Sequence, residues 1–203
     1  MIERFSTLWK RLNAQGNAEQ EFAKLNARYS EPHRFYHNMC HIRDCLSEFD
    51  SAKSLDHKAD LVELAIWCHD AIYDTEAKDN EERSAQLAYD ICIAANLPPE
   101  LARRAKDLII ATKHNVVPIA IEARILIDVD LSVLGKPLEE FEEYERNIRK
   151  EYSWVPEDQF KQGRSAILQM FLGRESIYFT DFFKARYETQ ARRNLQMSID
   201  ALR

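Results

Sequence analysis

The sequence predicts an all-α fold, and three observations support this. Apolar side chains recur three or four residues apart along most of the chain, which is the period of a helix buried on one face. The 203 residues include only four glycines and six prolines, few for the tight turns of an all-β protein. No stretch has the alternation of a convincing β-strand.

Four helices are predicted in the first part of the chain. The first is amphipathic and ends at Gly16, and Asn17 can cap the second, which continues until Pro32. The third covers about Tyr36–Phe49. The fourth, Asp56–Asp70, is apolar on almost every side in its second half, as expected of a central helix.

The rest of the chain is also predicted to be helical. A polar loop, YDTEAKDN, precedes a helix that Asn80 or Asp79 caps and that reaches Ala95. Further helices are predicted from NLPPE to His114 and at about Ile119–Leu134, Pro137–Tyr152, Pro156–Leu172 and Thr180–Leu202. There is no internal repeat and no low-complexity linker. A chain of this length can bury one substantial core, so we predict a single all-α domain over residues 1–203.

Composition and charge exclude several classes of protein. Hydrophobic residues make up 45% of the chain, an ordinary value for a globular domain. The net charge of −6 argues against a basic surface for DNA or RNA polymers, and no stretch approaches the length of a membrane span. The four cysteines form no CxxC pair, which is typical of free thiols in a reducing compartment. We therefore expect a cytoplasmic protein.

Histidines and aspartates at three places predict one shared site. His69–Asp70 ends the apolar fourth helix, and His37 and His41 lie one helical turn apart in YHNMCHI. Asp128 and Asp130 interrupt the apolar run RILIDVDLSVLG. Burying such groups is costly unless something pairs with them, and a divalent cation is the usual partner.

The two aspartates of that run are alternatives. Residues two apart on a helix lie about 200° apart, so Asp128 and Asp130 cannot both face one pocket. Each shares a helical stripe with apolar residues, and the periodicity favours neither.

These motifs resemble those of the HD-domain superfamily of metal-dependent phosphohydrolases. YHNMCHI, ELAIWCHDAIYD, KDNEERSA and LIDVDLSVLG are similar, in this order, to a bacterial branch described as predicted HD phosphohydrolases. The similarity covers about Arg34–Gly135, and a helical extension follows over about 136–203. It implies a helical bundle with one metal ion, and the ligands it implies are His41, His69, Asp70 and Asp130.

The resemblance also implies a catalytic candidate. HDAIYDT is similar to the HDxxEDT run of alarmone hydrolases, where an acidic pair assists the attacking water. Tyr73 replaces the first acidic residue here, which leaves Asp74 to position or deprotonate the water. Two-metal members have further histidines before the last ligand, and His114 alone is available for that purpose, so we expect one metal.

The ligand types suit Mn, Fe, Ni, Zn or Mg, any of which can activate water and polarise a phosphoryl group. We expect a small phosphorylated substrate such as a nucleotide, and its contacts are predicted to be Arg34, His37, Lys113 and His114. Each can equally be an ordinary surface residue.

The alternative function is a catalytically silent binding or regulatory domain in which the metal only stabilises the structure. The aromatic residues of ESIYFTDFFKARYE can serve packing or a homodimer.

Overall fold

A computed structural model describes residues 1–52 and 58–203, and these ranges contain no β-strand, which confirms the all-α prediction. The predicted start of the fourth helix, Asp56, lies outside the described residues. The α-helices are α1 (Ile2–Arg11), α2 (Ala18–Tyr29), α3 (Met39–Ala52), α4 (Ala59–Cys68), α5 (Asn80–Ala94), α6 (Pro99–Ala111), α7 (Ile121–Asp130), α8 (Leu138–Glu151), α9 (Glu157–Leu172) and α10 (Asp181–Ala201), and a 3₁₀-helix covers Leu131–Gly135. None of these helices has both the length and the hydropathy needed to cross a membrane.

The chain divides into two compact units, residues 1–129 and residues 130–203. Unit 1 contains α1 to α6 and all of α7 except its last residue. Unit 2 contains the 3₁₀-helix and α8 to α10.

Helix α4 is the centre of unit 1. It contacts α1, α3, α5 and α6, and every residue from Leu61 to Cys68 is buried, as predicted for a central helix. Near its end, the indole ring of Trp67 packs edge-on against Phe5 and Phe22, with centroid distances of 5.3 and 5.9 Å. Because α4 is surrounded on all sides, the residues that follow it emerge from the middle of the unit.

Several helix ends differ from the prediction by a few residues. Asn17 caps α2 as expected, since its Oδ1 accepts hydrogen bonds from the backbone N–H groups of Glu19 and Gln20. Helix α1, however, ends at Arg11, and Gly16 has a φ of +86° in the loop beyond it. Helix α6 ends at Ala111, and His114 follows with a φ of +57°.

In unit 2 the 3₁₀-helix lies directly against α10. The fully buried Asn194 donates from Nδ2 to the carbonyl oxygens of Leu134 and Lys136, both at 2.8 Å. A Cβ atom on Gly135 would lie 2.5 Å from Cβ of Tyr187 and 2.9 Å from its carbonyl oxygen. Only glycine allows the two backbones to approach this closely.

We therefore expect Gly135→Ala to lower the free energy of unfolding by roughly 1–3 kcal/mol, as overpacking does, in a urea titration. The control is Gly163→Ala in α9, where an added Cβ meets nothing within 4 Å. That substitution should raise stability by about 0.5–1 kcal/mol, because alanine loses less backbone entropy in a helix. Equal effects of the two variants would contradict this packing.

Candidate metal centre

Two buried histidines and one aspartate bring their ligand atoms together in unit 1. His41 is the third residue of α3, and His69 and Asp70 follow α4 directly. The Nε2 atoms of His41 and His69 are 3.2 Å apart. Oδ2 of Asp70 lies 3.2 Å from Nε2 of His69 and 3.5 Å from Nε2 of His41. The three atoms thus form a nearly equilateral triangle.

This triangle has the size of one face of a metal coordination shell. With metal–ligand bonds of about 2.1 Å, neighbouring ligand atoms are about 3.0–3.4 Å apart in octahedral or tetrahedral geometry. The donor set of two imidazole nitrogens and a carboxylate oxygen is also one that divalent transition metals prefer. The residues therefore fit a divalent ion.

The orientation of His69 supports the same conclusion. Its Nδ1 lies 2.9 Å from the carbonyl oxygen of Ile66, which can only accept a hydrogen bond. Nδ1 therefore carries the proton and donates it. In the neutral ring, Nε2 then presents its lone pair towards His41 and Asp70, as metal-binding histidines do.

Asp70 is held in its charged form. Burial would raise the pKa of its carboxyl group. When the imidazole rings carry both protons, the charge of His69, hydrogen bonds from His41 and His69, and the charge of His37 hold that pKa well below its usual value. The group is therefore an anion at neutral pH, the form that binds a cation.

The two alternative aspartates lie in different units. Asp130 is the last residue of α7 and the first of unit 2, whereas the fully buried Asp128 belongs to unit 1. Asp130 as the last ligand therefore stays a prediction.

Cys45 is a neighbour that the sequence analysis overlooked, although its position four residues after His41 places it on the same face of α3. Its sulfur lies 3.6 Å from Nε2 and 3.7 Å from Nδ1 of His41. Nearly equal distances to both nitrogens place the sulfur beside the ring and out of line with either lone pair. Cys45 nonetheless offers its sulfur close to the ligand atoms of His41 and His69, so a metal ion at this place could have a thiolate neighbour.

Aromatic rings lie next to the histidine ligands. The ring of His37 stacks on Tyr73 with a centroid distance of 4.0 Å and lies 5.9 Å from the ring of His41. Tyr36 is 4.8 Å from His41 and 4.9 Å from His37. His37 is thus adjacent to the candidate centre, and its predicted contact with substrate stays a prediction.

Arg34 is predicted to contact substrate, and that contact stays a prediction. Its side chain is fully buried, and the guanidinium donates to Glu31 and to the carbonyl oxygens of His37, Asp70 and Ala71. The guanidinium of Arg34 therefore connects backbone segments on both sides of it.

Lys113 and His114 follow the end of α6 at Ala111. Neither belongs to the cluster of possible ligand atoms that contains those of His41, Cys45 and His69. The ammonium group of Lys113 pairs with the carboxylate of Glu82, and this hydrogen bond raises the pKa of Lys113. Nζ of Lys113 also lies 3.9 Å from Oε2 of Glu81. Its charge is therefore met by acidic residues of α5. A substrate contact of either residue stays a prediction.

Asp74 lies in an exposed turn after α4. Its Oδ1 accepts a hydrogen bond from the N–H of Glu76 at 2.9 Å, and its backbone N–H and carbonyl pair with the side chain of Asn80. Its Oδ2 accepts no hydrogen bond from the described part of the chain. One oxygen is thus fixed by the turn and the other is open to water, and the catalytic role stays a prediction.

Comparison with known proteins identifies no relative, since no family model, curated protein or solved structure matches the chain. The HD-domain resemblance therefore rests on the sequence motifs, and the candidate ligands rest on the geometry.

We expect Asp70→Ala to reduce metal affinity by more than the roughly 10–100-fold that loss of an outer-shell partner causes, because a ligand itself is removed. Cys45→Ala should keep the wild-type affinity. Calorimetric titration of both purified variants with Mn²⁺ or Zn²⁺, with metal content checked by mass spectrometry, measures the difference. Loss of binding in Cys45→Ala with retention in Asp70→Ala would reverse the assignment.

Proposed function

We propose that this protein is a metal-dependent phosphohydrolase that acts on a small phosphate ester or nucleotide. The observation that carries the proposal is the meeting of Nε2 of His41, Nε2 of His69 and Oδ2 of Asp70 within 3.5 Å of one another. The order of the motifs along the chain, similar to that of HD-domain phosphohydrolases, supports the choice of reaction.

The residues that would hold the ion are His41, His69, Asp70 and Asp130. Two imidazoles and two carboxylates suit Mn, Fe, Ni or Zn, and Mg is the hard alternative. A divalent ion in this position supplies Lewis-acid polarisation of the phosphoryl group and lowers the pKa of water to near neutrality.

The other residues of the site would bind the substrate and move protons. The imidazole of His37, next to the ligands, can hydrogen-bond a phosphate oxygen. Its stacking on Tyr73 fixes the ring orientation. The open Oδ2 of Asp74 can accept a proton from water, while the hydrogen bond from Glu76 keeps the carboxylate in place.

A catalytically silent domain with a structural metal is the second candidate. It is favoured by Tyr73, which occupies the place of an acidic residue and is already stacked on His37, and by the turn that Asp74 closes. In such a domain the ion would stabilise the ends of α3 and α4 without turnover.

The test is release of phosphate from a panel of nucleotides and phosphate esters by protein loaded with each candidate metal. The proposal predicts turnover by the wild type that is abolished in His69→Ala. The matched surface control is Arg103→Ala, which removes an exposed side chain of α6 that pairs with Glu100, and it should keep full turnover. Metal binding and thermal stabilisation without turnover on any substrate would support the silent domain instead.

In the same assay we expect Asp74→Asn to lower turnover by about 10²–10⁴-fold, the usual contribution of general acid–base assistance. Asparagine keeps an oxygen that can accept the hydrogen bond from Glu76, so the turn and the metal content should be unchanged. Wild-type turnover in Asp74→Asn would leave the metal centre intact and refute this role for Asp74.

A further inference from the structure

Arg34 has a fully buried guanidinium beside the candidate ligands. Its Nη1 donates to the carbonyl oxygen of Asp70 at 2.6 Å and to that of His37 at 3.0 Å, and its Nη2 donates to the carbonyl oxygen of Ala71 at 3.1 Å. Its Nε donates to Glu31 at 2.9 Å. The side chain itself is 0% exposed.

These carbonyl groups belong to the two segments that carry the ligands. His37 lies in the turn that leads into α3 and His41, whereas Asp70 and Ala71 follow α4. The guanidinium of Arg34 is thus hydrogen-bonded to both segments.

The end of α4 favours a cation nearby. The last carbonyl groups of a helix lack partners within it, and they give its C-terminus a partial negative charge. The helix ends at Cys68, and the hydroxyl group of Tyr29 donates to the carbonyl oxygen of Trp67 at 3.0 Å. Arg34 donates to the carbonyl oxygens of Asp70 and Ala71 in the turn that follows. The ring of Tyr29 also lies under the guanidinium, with 5.3 Å between Cζ and the ring centroid.

We propose that Arg34 is a positioning residue: its guanidinium fixes the Asp70 main chain against the His37 turn and thereby sets Oδ2 of Asp70 between the Nε2 atoms of His41 and His69. This role rests on the metal centre of the proposed function. It requires the planar fork as well as the charge, since the compact ammonium of lysine cannot reach three carbonyl groups in the same geometry.

Unit 2 contains a matched control. Arg192 donates to Glu188 at 2.8 Å and to the carbonyl oxygens of Leu172, Arg174 and Glu175 at 3.0, 2.8 and 2.9 Å. Its guanidinium, like that of Arg34, donates hydrogen bonds to three carbonyl groups and one glutamate. None of these partners is a candidate ligand.

The experiment compares wild type, Arg34→Lys and Arg192→Lys in the full chain, titrated with Co²⁺. Calorimetry gives the dissociation constant, and the visible spectrum of Co²⁺ reports its coordination geometry. We expect Arg34→Lys to weaken binding by about 10–100-fold, as loss of an outer-shell partner does, and to change the spectrum. Arg192→Lys should keep the wild-type affinity and spectrum even if it unfolds at a lower temperature.

Glu31→Gln provides a second test if Arg34→Lys does not fold. It removes the partly exposed carboxylate partner but leaves the three carbonyl bonds, so the proposal predicts an unchanged Co²⁺ spectrum. A changed spectrum would mean that the charge pair of Arg34 with Glu31 positions the ligands, and not the hydrogen bonds of the guanidinium to the carbonyl groups. That result would overturn the proposal.

The remaining outcomes separate the two proposals. A folded Arg34→Lys with wild-type affinity and spectrum would refute the positioning role and leave the metal centre standing. Absence of Co²⁺ binding by the wild type would refute the metal centre, and the role of Arg34 with it.

Discussion

The close approach of three ligand atoms is the constraint around which this part of the molecule is organised. Two imidazole nitrogens and a carboxylate oxygen lie within 3.5 Å of one another in a largely buried position. Lone pairs repel at this distance unless a proton or a cation lies between them. The packing of α3 against α4 holds the two histidines together, and the low pKa of Asp70 provides the negative charge that a cation would neutralise.

The end of α4 shows how an apolar helix can be followed by polar candidate ligands. The helix is buried from Leu61 to its last residue, Cys68, so water cannot satisfy the backbone groups there. Side chains from other segments bond the end of the helix and the turn after it: Tyr29 at Trp67, Arg34 at Asp70 and Ala71, and the buried Ser84, whose Oγ pairs with both backbone groups of Ile72. The turn that carries His69 and Asp70 is thus fixed from several sides, which favours a rigid ligand geometry.

The sequence predicted the helices and the meeting of His41 with His69, because helical periodicity and the cost of burying polar groups are both local signals. Helical periodicity could not choose between Asp128 and Asp130, since each shares a stripe with apolar residues. The hydrogen bonds of Arg34 to backbone carbonyl groups could not be predicted either, because a side chain that pairs with the backbone leaves no pattern among the side chains. Helix α6 ends at Ala111, before the predicted His114, and His114 has a left-handed backbone that histidine seldom adopts and that periodicity does not predict.

Anomalous diffraction from crystals grown with Mn²⁺ tests the central claim most directly. The account predicts one anomalous peak within about 2.0–2.3 Å of Nε2 of His41, Nε2 of His69 and a carboxylate oxygen of Asp70. A peak bound instead through the sulfur of Cys45, or an ion located away from both histidines, would contradict it.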